Sequence, residues 1–501
     1  MKLYIVPLIL FFCFAGCGIF DGKHAKVEHG LRHNILIAGE KDQHMSISER
    51  MQHHKVPAVS IAVISKDQIE WAKGYGCISS DNPKKITTNT LFQAASISKP
   101  VTALGALLLI QQGKLSLDDD VNKYLKSWKI PDNKFTKKEK VTLRRLLSHT
   151  AGTSVHGFDG YPSGKTIPSV IEILDGKKSR ANSDPVRVTK TPGTELRYSG
   201  GGITIVQLLI EDVTGERFDA WMKSNILVPF GMNASTFSQP LTQPYTNLAA
   251  HGHDFKGKPV NGKWHTYPEM AAAGLWTTPT DLANFLVTIL RILHGKQTGP
   301  VGQELIKEAL KSQFHDPKDN AKKEGGVGLG FFLSGSKDKM FLSRWHGGKN
   351  EGFVAKIDLW PGLKKGLVIM TNGDGGDELI NEIINSAADV YDYPGREPKI
   401  KNTIRLDSSM LAKFTGVYRD GEHTFTVNMR DNKLFVLDSY FPSEIQLYPE
   451  KEDFFFMREK YMLSLQFMRS KGVIDSIIPF SKNGKRLRND KGDIVLKKTK
   501  E

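Results

Sequence analysis

The chain has 501 residues, too many for one ordinary domain, with 39% hydrophobic and 25% charged residues, a balance that suits a soluble globular protein with a real core. Its formal charge of +15 gathers in stretches such as KKEK and KNGKRLRNDKGD, with no nucleic-acid motif beside them. That charge reads as solvated surface, with weak attraction to anionic lipids or wall polymers the next reading, and no internal run of eighteen apolar residues offers a membrane span.

The chain opens with MKLYIVPLILFFCFAGCG: one lysine, an apolar run, then small residues before Cys17. This is the pattern of a secretion signal. Phe14-Ala15-Gly16-Cys17 resembles a bacterial lipoprotein box, which implies lipidation of Cys17 after cleavage; a plain secretion signal is the alternative. Gly18 rather than Asp follows, so the expected place is the cell envelope, as a membrane-anchored lipoprotein facing the periplasm. With Cys13 removed and Cys17 lipidated, Cys77 stands alone and no internal disulfide forms. Cys77 itself reads as a small core residue.

Residues 18–44 read as a tether. VPAVSIAVISKDQIEWAKGYG then gives two strands about a polar turn at Ser65–Gln68, a β-hairpin. QAASISKPVTALGALLLIQQG, residues 93–113, carries Val101, Leu104, Leu107, Leu108 and Leu109 at helical spacing, with Pro100 fitting a first turn. A helix from Ile203 to Val213 follows, with Val206, Leu209, Ile210 and Val213 on one face. Residues 326–373 read as successive antiparallel strands turning at GSKDK and PGLKKG, closed by a helix from about Glu378 to Val390. DYPGREPKIKN is a linker. Beyond it the pattern is all-β, with Phe425, Val427 and Met429 alternating, as do Leu463, Leu465 and Phe467. The expected boundaries are 1–17 signal, 18–44 tether, 45–392 main domain, 393–404 linker and 405–501 β-domain.

Ser-x-x-Lys occurs at Ser96, Ser334 and Ser336, so the tetrad alone decides nothing. Ser334 and Ser336 lie in a strand–strand turn, where such residues are ordinary. Only Ser96 opens an apolar helix, on which Ser96 and Lys99 share a face while Ser98 points elsewhere. A serine hydroxyl is weak until a base takes its proton. A lysine sheltered at an apolar helix is a poorer ammonium, and a helix N-terminus favours negative charge at Ser96. On this segment alone, Ser96 as nucleophile and Ser96 as helix N-cap stand level.

Two further segments bear on it. PGTELRYSGGGITIVQLL presents Tyr198 at a turn before a glycine-led helix, and a tyrosine beside an ammonium gives up its proton more readily. SGGG lacks the Lys-Ser/Thr of a phosphate loop, so nucleotide binding is unsupported. SRWHGGKNEGF places His346 before two glycines at a strand edge suited to close approach. No G-x-S-x-G elbow is present. HGHDF lacks further ligands, His251 and His253 read as loop residues, and no metal is implied.

In this order, Ser-x-x-Lys, Tyr-x-x and His-x-Gly resemble the serine β-lactamase and penicillin-binding-protein superfamily, and most nearly its class C-like branch of β-lactamases, D-amino-acid peptidases, carboxypeptidases and esterases. The resemblance runs from about Met45 to Tyr391 and takes in LLSHTAGT at 146–153 and AAAGLWTTPTDLANF at 271–285. It implies an α/β three-layer sandwich, an antiparallel sheet flanked by helices, with the C-terminal β-barrel-like domain appended. It implies Ser96 as nucleophile, Lys99 and Tyr198 as proton carriers, and His346 on the third motif. The backbone N–H groups of Ser96 and Lys349, the latter just after Gly347 and Gly348, would form the oxyanion hole. Three departures stand out: Gly200 where Asn is common, His346-Gly347-Gly348 where β-lactamases have Lys-Thr/Ser-Gly, and Lys349 where serine is common. They remove contacts to a β-lactam's amide and carboxylate and leave acyl transfer intact. The expectation is a cofactor-free serine hydrolase for small esters, D-amino-acid amides or wall-type peptides, with no nucleic-acid partner. A class C-like β-lactamase and a non-catalytic envelope binding protein are the alternatives.

Overall fold

The computed structural model describes residues 22–41, 43–314, 326–334, 343–439, 441–459, 463–481, 484–489 and 492–499. In chain order it runs α1 (Lys23–His29), β1 (Ile35–Ile37), α2 (Ile47–His53), β2 (Ala58–Ser65), β3 (Gln68–Ser79), β4 (Asn82–Lys85), β5 (Phe92–Gln93), α3 (Ser98–Gln111), α4 (Leu143–Leu147), α5 (Val170–Asp175), α6 (Gly200–Thr214), α7 (Phe218–Met222) and α8 (Met270–Ala273). There follow β6 (Trp276–Thr277), α9 (Pro279–Leu293), α10 (Gln303–Ala309), β7 (Gly326–Val327), β8 (Phe332–Ser334), β9 (Ser343–Asn350), β10 (Phe353–Trp360), β11 (Lys365–Thr371), α11 (Gly376–Tyr391) and β12 (Lys399–Lys401).

Eight strands form one sheet in the order β4-β3-β2-β11-β10-β9-β8-β7, every neighbour antiparallel. β2 sits near its centre and is apolar on both sides. Ala58, Ala62 and Ile64 enter one core with α3, α6, α8 and α9; Val59, Ile61 and Val63 enter another with α1, α2 and α11. A strand covered on both faces reads as an unbroken apolar run, as AVSIAVI does. Three layers result. The hairpin turns at Lys66 and Asp67, both left-handed with φ 54° and 61°, the geometry that matches strand twist in a two-residue loop.

The segment expected as a tether folds onto the domain over residues 23–37. Val27 and Leu31 are fully buried, and Arg32 holds Asp389 of α11 with two bonds of 2.5 and 2.7 Å. β1 pairs in parallel with β12. Elements of seven and three residues are too short to show a period in sequence. Cys77, expected in the core, is half-buried on β3.

The C-terminal strands close into an eight-stranded barrel. Phe425, Val427, Leu465 and Phe467 fill it, while Met429, at the end of the same alternation, is exposed.

Candidate active site

The helix α3 begins two residues later than its apolar pattern suggested. Ser96 lies in a single 3₁₀ turn, Ala95–Ile97, that leads into α3, and Ile97 takes the cap position without a side-chain bond. Ser96 is therefore not a helix cap. Ala95 before it has φ 48°, a strained conformation for a residue with a Cβ and one found where a fold holds a functional group. Lys99 is 2% exposed; its Nζ donates to Ser96 Oγ at 2.8 Å and to the Ala272 carbonyl at 2.8 Å. Ser98 is fully buried, donating to Ala95 O and accepting from the Leu275 N–H, so it holds the turn together.

Tyr198 is brought to Lys99 by the start of α6. Ser199 caps that helix through the Gly202 N–H and donates to the Ser154 carbonyl at 2.6 Å, which fixes Tyr198 beside the 154–158 segment. Lys99 Nζ lies 4.9 Å from the centre of the Tyr198 ring. The ring is flanked by His149 at 4.4 Å and His156 at 4.8 Å, with Phe332 and His346 at 6.0 and 6.2 Å.

β9 closes the site from the other side. Gly348 lies so near the serine turn that a Cβ on it would fall 2.1 Å from Ala94 O, so only glycine lets the strand approach. His346 is 2% exposed; its Nδ1 donates to the Gly347 carbonyl at 2.6 Å, leaving Nε2 a buried acceptor with no partner among the described residues. Burial and the Lys99 ammonium push its pKa down to about 3, so the ring is neutral at ordinary pH. Burial and Lys99 also hold His149 and His156 below the usual histidine range.

Ser96, Lys99, Tyr198, His346, Gly347, Gly348 and Lys349 all line one cleft of 1180 Å³. Gly200 does not line it. It is buried at the head of α6, where a Cβ would meet His156 O and Phe158 at 3.1 Å, and His156, Gly157 and Phe158 form that part of the wall. Lys349 turns its side chain to Asp377 of α11 at 3.3 Å. Ser334 also lines the cleft, with its hydroxyl 3.1 Å from Ser343 Oγ; Ser336 and Cys17 lie outside the described residues.

Sequence reasoning missed His149, His156 and Phe332. His149 stood in LLSHTAGT, a stretch noted for its likeness and not for a role; the others carried no signal. His253, expected in a loop, is fully buried, bonded to the Ser80 N–H and to Asn372 O. Among the described residues one group, His33, Glu382 and Glu459, could hold a metal, and Arg50 already donates to both carboxylates there.

An antiparallel sheet between helical layers, with the serine of a 3₁₀ turn in contact with the buried lysine of the helix that follows and with strand β9 against that turn, is the arrangement of the serine β-lactamase and penicillin-binding-protein class. A family model described as Beta-lactamase matches residues 46–389, and the chain belongs to that family. Protein flp of Staphylococcus aureus (strain N315) is 27% identical over 340 residues, 65% of this chain and 61% of that protein, so the chain spans about three-fifths of that relative. Penicillin-binding protein 4* of Bacillus subtilis (strain 168) is 24% identical over 412 residues, 77% of this chain and 84% of that one. The fold is shared with an octameric penicillin-binding protein homologue from Pyrococcus abyssi, at TM-score 0.57, 23% identity, and 90% and 98% coverage. It is also shared with SurE solved with D-Leu, at TM-score 0.53, 19% identity, and 90% and 97% coverage.

Proposed function

We propose that this protein is a serine hydrolase that works through an acyl-enzyme on Ser96, taking esters, D-amino-acid amides or wall-type peptides. The observation that carries the reading is the 2.8 Å contact between buried Lys99 and Ser96 in an open cleft. Ser96 Oγ attacks the carbonyl carbon, and its proton passes through Lys99 and Tyr198 to the leaving group. The N–H groups of Ser96 and Lys349, on backbone segments held together by Gly348, take the oxyanion, a contribution of about 3 kcal/mol per donor. Water then releases the acid and restores the Ser96 proton.

A β-lactamase is the second reading, and two features weigh against it. A β-lactam carboxylate needs a donor, but the His346 Nε2 is a neutral acceptor, and the Lys349 ammonium is engaged by Asp377. A buried group left unpaired costs about 1–3 kcal/mol, roughly tenfold to more than a hundredfold in rate. The kcat/KM for p-nitrophenyl butyrate is therefore expected to exceed that for nitrocefin by at least about tenfold. Equal or faster nitrocefin turnover would overturn the ranking. The intact Ser96–Lys99 pair speaks against a pure binding role, and fluorophosphonate labelling tests that directly.

We further propose, from the Phe14-Ala15-Gly16-Cys17 pattern of the sequence, that the protein belongs to the cell envelope, anchored by a lipid on Cys17. Cys17→Ser is expected to move it from the membrane to the soluble fraction; a mature N-terminus elsewhere by mass spectrometry would refute the anchor.

A further inference from the structure

Tyr198 reaches the cleft on a short segment whose two flanking peptides are held from one place. The Arg197 N–H donates to the His149 carbonyl at 2.8 Å, and the Ser199 N–H donates to His149 Nδ1 at 3.3 Å. The same imidazole lies on the Tyr198 ring, with centroids 4.4 Å apart and planes at 42°. One residue thus holds the tyrosine before it, after it and on its face.

His149 does this from a position where its residue type is costly. α4 ends in a paired turn: the His149 N–H donates to Leu146 O at 3.3 Å, and the Thr150 N–H donates to Arg145 O at 2.8 Å. Such a turn takes one residue into the left-handed region, where glycine is the usual occupant. His149 is that residue, with φ 57°. A side chain kept where glycine would be easier has a use that glycine cannot meet. The ring is also specified atom by atom. It is 2% exposed, and burial beside the Lys99 ammonium keeps it neutral. A backbone N–H only donates, so Nδ1 accepts and the proton sits on Nε2. That Nε2–H has no acceptor among the described residues. The ring forgoes a bond at one nitrogen to keep the pose that the Ser199 bond and the Tyr198 contact require.

We propose that His149 is a positioning residue for Tyr198, setting the place of the phenol against the Ser96–Lys99 pair. The proposal rests on the acyl-transfer reading and adds the group that makes its tyrosine competent. Lys99 comes from α3, so the two proton carriers meet only as accurately as residues 197–199 are placed. Proton transfer needs its partners within hydrogen-bond reach, and a displacement of about 1 Å costs about a hundredfold in rate.

The test is a double-mutant cycle on the purified protein, read as kcat and KM for p-nitrophenyl butyrate. His149→Gly suits the left-handed turn and removes the whole side chain. His149→Asn also tolerates that conformation, and its Oδ1 keeps an acceptor for the Ser199 N–H. Both are made, so that the cycle closes with either. In the parent background the glycine variant is expected to lose about 10- to 100-fold in kcat, with KM changed less than about twofold. The asparagine variant is expected to recover about three- to tenfold of that loss. In the Tyr198→Phe background, where there is no phenol to place, either change is expected to cost less than about twofold. Equal losses in the two backgrounds, or a glycine variant with full kcat, would leave His149 a packing residue and overturn the proposal. Full activity of Tyr198→Phe by itself, with Ser96 still labelled by a fluorophosphonate, overturns it as well and leaves the acyl-enzyme standing. No turnover and no labelling of the parent protein overturns both readings together.

Discussion

Ser96 and Ser98 sit two residues apart and have opposite surroundings. Ser98 spends its hydroxyl on two backbone groups of the turn, while Ser96 meets Lys99 and the cleft. Ser96→Ala is expected to abolish fluorophosphonate labelling and lower ester kcat by at least about 10⁴-fold, while Ser334→Ala keeps labelling. Tyr198→Phe preserves the ring between His149 and His156 and removes only the hydroxyl. If that hydroxyl carries a proton, kcat falls by about 10²–10⁴-fold with little change in melting temperature. Full activity in the phenylalanine variant would assign the proton work to Lys99 alone.

α8 is a four-residue helix whose Ala272 carbonyl holds Lys99, and it starts from Glu269. The Glu269 side chain is fully buried with neither oxygen bonded among the described residues, and burial pushes its pKa up to about 8. Its folded value lies above its unfolded one, so the folded protein keeps a proton that the unfolded chain gives up above about pH 4.5. Stability from this group is full below that pH and declines as pH rises toward 8, by about 1.4 kcal/mol per unit at most. Glu269→Gln, which has no charge to bury, is expected to flatten that decline. Melting temperatures of both proteins from pH 4 to 9 check it, and parallel curves would place the carboxyl in a wetter site.

The two domains meet at a cluster of charges. Arg50 of α2 donates to Glu382 of α11 at 2.6 and 2.8 Å and to Glu459, beyond the barrel strand Phe454–Phe456, at 3.1 Å; His53 lies 3.0 Å from Glu459. Arg50 is 6% exposed, and the removal of one partner from a buried pair costs about 3–5 kcal/mol. Among the described residues of the barrel domain Glu459 is the one that accepts from Arg50, so Glu459→Gln is expected to loosen the joint without removing the Arg50–Glu382 pair. Calorimetry should then resolve two transitions, or a broader one, where the parent protein unfolds with the barrel coupled. An unchanged single transition would show that the joint holds by other contacts.

Much of this molecule is written along the chain. Alternation marked the barrel strands, an unbroken apolar run marked β2, helical spacing marked α3 and α6, and residue order brought out Ser96, Lys99, Tyr198 and His346. Those are local patterns, set by side-chain periods and by short spacings that a helix or turn brings together at once. The fold alone decided what depends on approach between distant segments: that Ser96 occupies a 3₁₀ turn and not a helix cap, that Gly200 packs away from the cleft, that residues 23–37 cover α11, and that Lys349 faces Asp377. His149 and His156 come to Tyr198 across 49 and 42 residues, and Asp358 is buried only once the chain has folded. Burial and the field of a neighbouring charge set what such groups can do, and neither exists until the chain has closed on itself.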